Sequence, residues 1–211
     1  MAIKNIIFDL GGVLLDIDFN LTKEAFERYG FTQFGEYYHQ SYSSPLFSQM
    51  EQGLISPAEF YEGIRKASGI KVTDDQIETA WNALLLHFRK GSIALLSELK
   101  KDHKIYLLSN TNEVHHQWFI KTYRQEIGGN SFDDNFHKAY YSNLIKLVKP
   151  KPESYLHITN ENGLLPEETL FIDDTLKNIE GATAVGLQTL HLQKGQLIEN
   201  ILPDLLAMAN S

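Results

Sequence analysis

The chain reads as an α/β protein built on a doubly wound parallel sheet, with an all-helical cap inserted after the first strand. Three observations predict this. Short apolar runs that read as buried strands alternate with helical patterns over most of the chain. Residues 19–89 interrupt the alternation, offering helical patterns and no convincing strand. Polar and charged residues stand where successive strands end, the side of an open α/β sheet on which ligands bind. Residues 1–18 and 90–211 are therefore assigned to the sheet domain and 19–89 to the cap. Such an insertion is tolerated where its two ends lie close together.

The first strand, Ile6-Ile7-Phe8, is apolar until it stops at Asp9 and runs into Leu10-Gly11-Gly12. In the insertion, helices are predicted over 21–29, 57–67 and 74–88, and residues 32–49 can hold a fourth. Ser56-Pro57-Ala58-Glu59 supplies an N-cap, a proline at the first helical position and a glutamate at N3, and Thr73-Asp74-Asp75-Gln76 is a second capping box. The sheet domain then resumes with strands at 104–108, 137–141, 169–172 and 186–191. Helices over 92–101, 113–124, 153–162 and 176–185 separate them. Gly163 and Gly186 fall where helices end.

Composition narrows the function. The chain has 211 residues, 43% apolar, which is enough for a well-buried core. A net charge of -8 argues against general binding to a nucleic-acid backbone, which requires a basic face. No cysteine is present, so disulfides, thiolate catalysis and cysteine-based metal sites are excluded. No apolar run approaches membrane-spanning length and no signal peptide is expected. A cytoplasmic protein, monomer or weak dimer, that contacts neither membrane nor nucleic acid is the expectation.

The chemistry lies at four strand ends. Asp9 alone fits a turn or helix cap as well as a nucleophile. Ser109-Asn110-Thr111-Asn112 opens a helix whose free N–H groups favour an anion, although Ser109 or Thr111 also fits a plain N-cap. In Val148-Lys149-Pro150-Lys151-Pro152 the prolines restrict the backbone and aim a lysine, which otherwise reads as a solvated lysine beside a helix start. Asp173-Asp174 closes a buried strand, and two adjacent carboxylates there repel each other unless a cation is held.

Together these four elements resemble the motifs of the haloacid dehalogenase-like hydrolase superfamily, in the same order and over essentially the whole chain, the helical cap included. The resemblance implies a Rossmann-like core and a Mg²⁺-dependent phosphatase. It makes Asp9 the nucleophile that forms an aspartyl-phosphate, Ser109 the phosphoryl holder, and Lys149 the neutralising cation. Asp9, the Gly11 carbonyl, Asp173 and Asp174 become the metal ligands, with Asp174 direct and Asp173 through water, or the reverse. More narrowly, Phe8–Phe19, Leu108–Asn112, Phe171–Asp174 and Asn178-Ile179-Glu180-Gly181-Ala182 resemble the bacterial α-D-glucose-1-phosphatase branch, implying a small sugar phosphate as substrate.

One departure matters. Many phosphatases of this superfamily carry an aspartate two residues after the nucleophile, which protonates the leaving group, whereas Gly11 stands here. A phosphomutase is thereby disfavoured. The open explanations are a leaving group needing little protonation, a replacement acid such as Asp16 or Asp18, or weak activity. The alternative functions are a 2-haloacid dehalogenase, which has no use for the Asp173-Asp174 pair, and a binding protein that has lost turnover. In the cap, residues 43–53 are expected to form a lid loop, with Gln49, Glu51 and Phe47 as candidate substrate contacts and Asn110 as another from the sheet side. Phe47 and Met50 also read as ordinary core. Tyr37, Tyr38 and Tyr42 could stack on a sugar, though aromatics at this spacing more often pack. His115-His116 lacks a nearby third ligand for zinc, but one of the pair could reach the mouth of the site.

Overall fold

In a computed structural model, which describes residues 2–40, 45–129 and 131–209, the centre is a five-stranded parallel sheet. Its strands are β1 (Asn5–Phe8), β4 (Lys104–Ser109), β5 (Lys138–Tyr141), β6 (Thr169–Asp173) and β7 (Gln188–His191), in the order β5-β4-β1-β6-β7. The buried β1 sits between β4 and β6, with Phe8 opposite Leu107 on one side and Ile172 on the other. The strand order reverses across β1, so the crevice for a ligand opens at the carboxyl ends of β1, β4 and β6. Helices α6 (Lys90–Asp102), α7 (Glu113–Glu126), α9 (Pro152–Asn162) and α10 (Leu176–Ala184) alternate with these strands as the sequence predicts, and a short α8 (Ser142–Ile145) follows β5 directly.

Alternate residues of the strands feed two cores. Ile6, Phe8, Ile105, Leu107, Leu170 and Ile172 join one cluster, while Ile7, Tyr106, Leu108 and Phe171 join the other. A C-terminal helix, α11 (Ile198–Ala209), which the sequence pattern had not revealed, covers the first with Ile198, Leu202 and Leu206. Pro203 lies inside its span and obscures the helical signal.

The helices of the insertion are α1 (Phe19–Arg28), α2 (Phe34–Gln40), α3 (Pro45–Glu51), α4 (Pro57–Ser68) and α5 (Asp74–Asn82). They bury an aromatic core of their own, including Phe26, Phe31, Phe34, Phe47, Phe60 and Trp81. Both predicted capping boxes form, at Ser56 with Glu59 and at Thr73 with Gln76.

Two expectations are corrected. The helix predicted over 74–88 stops at Asn82, and Leu85–Phe88 is a strand, β3. It pairs antiparallel with β2 (Leu15–Ile17), so the chain enters and leaves the helical stretch through adjacent strands. Asp18 N–H donates to the Leu84 carbonyl and Arg89 N–H to the Leu14 carbonyl, both at 2.9 Å, extending this two-stranded neck. Strands so short carry too little alternation to be read, and exposed His87 interrupts what there is. The lid expected over 43–53 is largely the helix α3, where Phe47 and Met50 both join the helical core, the packing role that their spacing also suggested. Tyr37 and Tyr38 pack against the same core. Tyr42, Ser43 and Ser44 lie outside the described residues.

His115 joins the insertion to the sheet domain and reaches no ligand crevice. From the first turn of α7 its ring stacks on Trp81 at 4.8 Å, and Nδ1 donates to Asn82 Oδ1 at 2.8 Å. Burial holds the imidazole down at about 3, so it folds neutral. An unfolded histidine titrates near 6.5, so the unfolded chain binds this proton more readily. The contribution is complete above about pH 6.5 and is lost as pH falls, by about 1.4 kcal/mol per unit at most. Denaturant-measured stability should therefore fall below pH 6.5 more steeply in the wild type than in His115→Phe, which cannot take up the proton. Equal slopes would refute this assignment.

Candidate active site

Asp9 directly follows β1, Ser109 ends β4, and Asp173 ends β6 with Asp174 next to it, so parallel strands in register bring these side chains to one edge of the sheet. Asp9 N–H donates to the Ile172 carbonyl at 2.9 Å, fixing the two acidic strand ends side by side. Lys149 enters between them from the loop before α9. Its Nζ lies 2.7 Å from Asp9 Oδ1 and 2.7 Å from Asp173 Oδ2, and the side chain is almost wholly buried. Burial alone would depress this ammonium, but Asp173 and Asp9 outweigh it and raise its pKa. Burial pushes the Asp9 carboxyl up; Lys149 opposes that shift, and Asp173 and Asp174 reinforce it.

Carboxylate oxygens of Asp9, Asp173 and Asp174 come within 4.8 Å of one another. One ammonium does not balance three such groups. A compact set of hard oxygen donors with surplus negative charge is the donor chemistry of Mg²⁺, so the residues present fit that ion. Within the acidic pair the roles differ. Asp173 is fully buried and engaged by Lys149, by the Thr175 N–H at 2.8 Å and by Asn178 Nδ2 at 3.0 and 3.1 Å. Asp174 is partly buried, its Oδ1 taking a 3.2 Å contact from Thr175 Oγ1. Burial and the Asp173 charge raise its pKa. Gly12 makes room for it: at φ +71° a Cβ on residue 12 would sit 2.1 Å from Asp174 Oδ2.

Asn112 caps α7, accepting from His115 N–H at 3.1 Å, which leaves that task to neither Ser109 nor Thr111. Asn110, expected at the substrate, instead has both ends of its amide on the Lys149 main chain: Nδ2 donates to the carbonyl and Oδ1 accepts the N–H, each at 2.9 Å. It braces the lysine loop. Asn178 is the partner that sequence reasoning missed as part of the site, since only the fold carries the first turn of α10 beneath Asp173.

The proposed replacement acids are committed elsewhere. Asp16 pairs with Arg89 Nε at 2.7 Å, and Asp18 caps α1 by accepting from Asn20 N–H at 2.9 Å. His116 stacks against Phe119 and Tyr141. Gln49 is partly buried on α3, and its carbonyl accepts from Leu54 N–H at 2.8 Å. Glu51, the last residue of α3, is close enough to Lys149 for the ammonium to draw its pKa down. Burial outweighs that pull and pushes the carboxyl up to about 7.

With this geometry in view, the chain matches the haloacid dehalogenase-like hydrolase family over residues 3–186. It is 29% identical over 194 residues to a D-ribitol-5-phosphate phosphatase of Bacteroides thetaiotaomicron, spanning 92% of this chain and 93% of the relative. A solved HAD family enzyme from Bacteroides thetaiotaomicron superposes with a TM-score of 0.88 at 36% identity, covering 96% of this chain and 99% of that one. The same enzyme was also solved in complex with magnesium and inorganic phosphate, and that structure matches at 38% identity and a TM-score of 0.84, covering 92% and 96%. An L-2-haloacid dehalogenase of Xanthobacter autotrophicus, at 22% identity and a TM-score of 0.59, covers 90% of this chain and 77% of its own; it shares the fold.

Proposed function

The chain belongs to the haloacid dehalogenase-like hydrolases, and from that premise we propose that it is a Mg²⁺-dependent phosphatase of small sugar or polyol phosphates. The observation that carries this reading is the cluster of Asp9, Asp173 and Asp174 around Lys149. Phosphoryl transfer asks little covalent chemistry of a protein and much positioning and charge neutralisation, and this cluster is suited to both.

Asp9 attacks phosphorus in line and forms the aspartyl-phosphate that water then cleaves. Ser109 holds a phosphoryl oxygen by its hydroxyl, while Lys149 neutralises the transferring group. Asp9, Asp174 and the Gly11 carbonyl would hold Mg²⁺, while Lys149 and Asn178 orient Asp173. When bound, that ion adds charge neutralisation at the phosphoryl oxygens. The insertion, residues 19–89, acts as the cap that excludes water from the reaction.

A dehalogenase needs no cation and gains nothing from the acidic pair, and the likeness to the solved dehalogenase is one of fold. The relative that hydrolyses D-ribitol 5-phosphate favours a short polyol or sugar phosphate, and the α-D-glucose-1-phosphatase resemblance adds glucose 1-phosphate. The test is phosphate release from D-ribitol 5-phosphate, glucose 1-phosphate and p-nitrophenyl phosphate, with Mg²⁺ or with EDTA, beside chloride release from 2-chloropropionate. Release of phosphate only in Mg²⁺, and no chloride, is the expected result. No Mg²⁺-dependent phosphate release from any of them would move the protein to the binding class.

A further inference from the structure

The site as described has a nucleophile, a cation and metal ligands, but no acid for the departing oxygen. Position 11 is glycine, and Asp16 and Asp18 are held by Arg89 and by the start of α1. We infer that Glu51, carried into the site by the cap helix α3, is the catalytic acid and base that position 11 lacks. This rests on the phosphatase reading above.

The position of Glu51 is built, not incidental. Its carbonyl lies 2.8 Å from Ser142 Oγ, a hydroxyl whose one proton is shared with the Thr111 carbonyl at 2.9 Å and whose oxygen accepts the Thr111 N–H at 2.9 Å. Ser142 follows Tyr141, the register partner of Ser109, so Glu51 is tied to the rim of the sheet at the level of the residue that holds the phosphoryl group. Two residues on, the Gly53 carbonyl accepts from Lys146 Nζ. Gly53 itself, at φ +58°, approaches α8 so closely that a Cβ would stand 2.2 Å from the Asn143 carbonyl oxygen. Phe47 and Met50 anchor the other side of α3 in the cap core. The end of α3 is thus clamped from both sides, and its carboxylate lies within the field of Lys149.

In-line attack places the leaving oxygen opposite Asp9, away from the sheet and toward the cap. A proton for that oxygen must come from the cap side, the side from which α3 enters. In the first step a bond forms from Asp9 Oδ to phosphorus, the bond from phosphorus to the substrate oxygen breaks, and the Glu51 proton passes to that oxygen, releasing the alcohol. In the second, water enters on the same face. Glu51 carboxylate takes one of its protons, the hydroxyl bonds to phosphorus, and the Asp9 bond breaks, releasing hydrogen phosphate with Asp9 ionised and Glu51 protonated again. A carboxyl raised to about 7 can serve in both directions near neutrality.

Glu51→Gln preserves the volume and the main-chain bond to Ser142 and removes only the transferable proton. On the polyol or sugar phosphate that the wild type turns over best, kcat should fall by about 10²-fold or more with KM little changed. On p-nitrophenyl phosphate, whose leaving group needs no acid, Glu51→Gln should still release one equivalent of nitrophenolate in a fast burst. Turnover should then be slow as aspartyl-phosphate accumulates. Equal loss of the burst and of alkyl phosphate turnover, a change in KM alone, or no loss would overturn the inference. A melting temperature close to the wild type's excludes misfolding as the cause, and absence of Mg²⁺-dependent release by the wild type would instead sink the phosphatase reading.

Discussion

Asp9→Asn is expected to abolish phosphate release while making the protein more stable in EDTA. The amide cannot displace a leaving group, so no aspartyl-phosphate forms and activity should fall by at least about 10³-fold, the scale on which loss of a nucleophile is felt. Stability moves the other way because of crowding. Asp9 is buried within 4.8 Å of Asp173 and Asp174, with one ammonium to share among the three. At an effective dielectric near 20, like charges this far apart repel by about 3 kcal/mol per pair, so the two repulsions roughly offset the 2.7 Å attraction to Lys149, and the cost of burying an ionised carboxylate, which asparagine escapes, decides the sign. A net gain on the order of 1 kcal/mol is expected, the usual trade of stability against activity at a strained site. Mg²⁺ should raise the melting temperature of the wild type more than that of the variant, narrowing the gap. Residual Mg²⁺-dependent turnover within tenfold of the wild type would show that another group is the nucleophile.

Lys149→Met should also lose activity, with the opposite effect on stability. Methionine fills a similar volume without the charge, leaving Asp9 and Asp173 to face each other unpaired in a buried site. Removing one partner from a buried ion pair typically costs about 3–5 kcal/mol. The variant is expected to melt well below the wild type in EDTA and to recover part of the loss in Mg²⁺, which offers the stranded carboxylates a second cation. Phosphate release should fall by about 10²–10³-fold, comparable to removing a preorganised group that stabilises transition-state charge. A melting temperature in EDTA equal to that of the wild type would mean that Lys149 does not balance the acidic cluster. The two variants together separate charge from chemistry, because both lose turnover and they shift stability in opposite directions.

The strand-end residues were legible because a parallel sheet converts chain order into a site. A buried strand that stops at a polar residue delivers it to the carboxyl edge, and Asp9, Ser109 and Asp173-Asp174 need only that rule. Lys149 was legible from the prolines that flank it. What escaped were elements too short or too interrupted to show a period: β2 and β3, which make the neck, and α11 with its internal Pro203. Asn110 was placed correctly near the site but with the wrong partner, since nothing in a polar residue's identity says whether it faces a ligand or braces a neighbouring loop.

The sequence by itself determined the alternation of strands and helices in the five-stranded sheet, the mainly helical stretch after the first strand, the exclusion of cysteine chemistry and the residues that converge at the sheet edge, all of which follow from local periodicity and composition. Only the tertiary structure decided how charge is shared among Asp9, Lys149, Asp173 and Asp174, that Asp16 and Asp18 are occupied elsewhere, and that Glu51 comes within the electrostatic reach of Lys149. Glu51 and Lys149 are far apart along the chain, and their proximity depends on how the end of α3 docks against Ser142 and Lys146. Contacts between surfaces of separate elements have no period in a sequence, so the missing aspartate at position 11 could be read from the chain, whereas the carboxylate we infer to replace it became a candidate only in the packed fold.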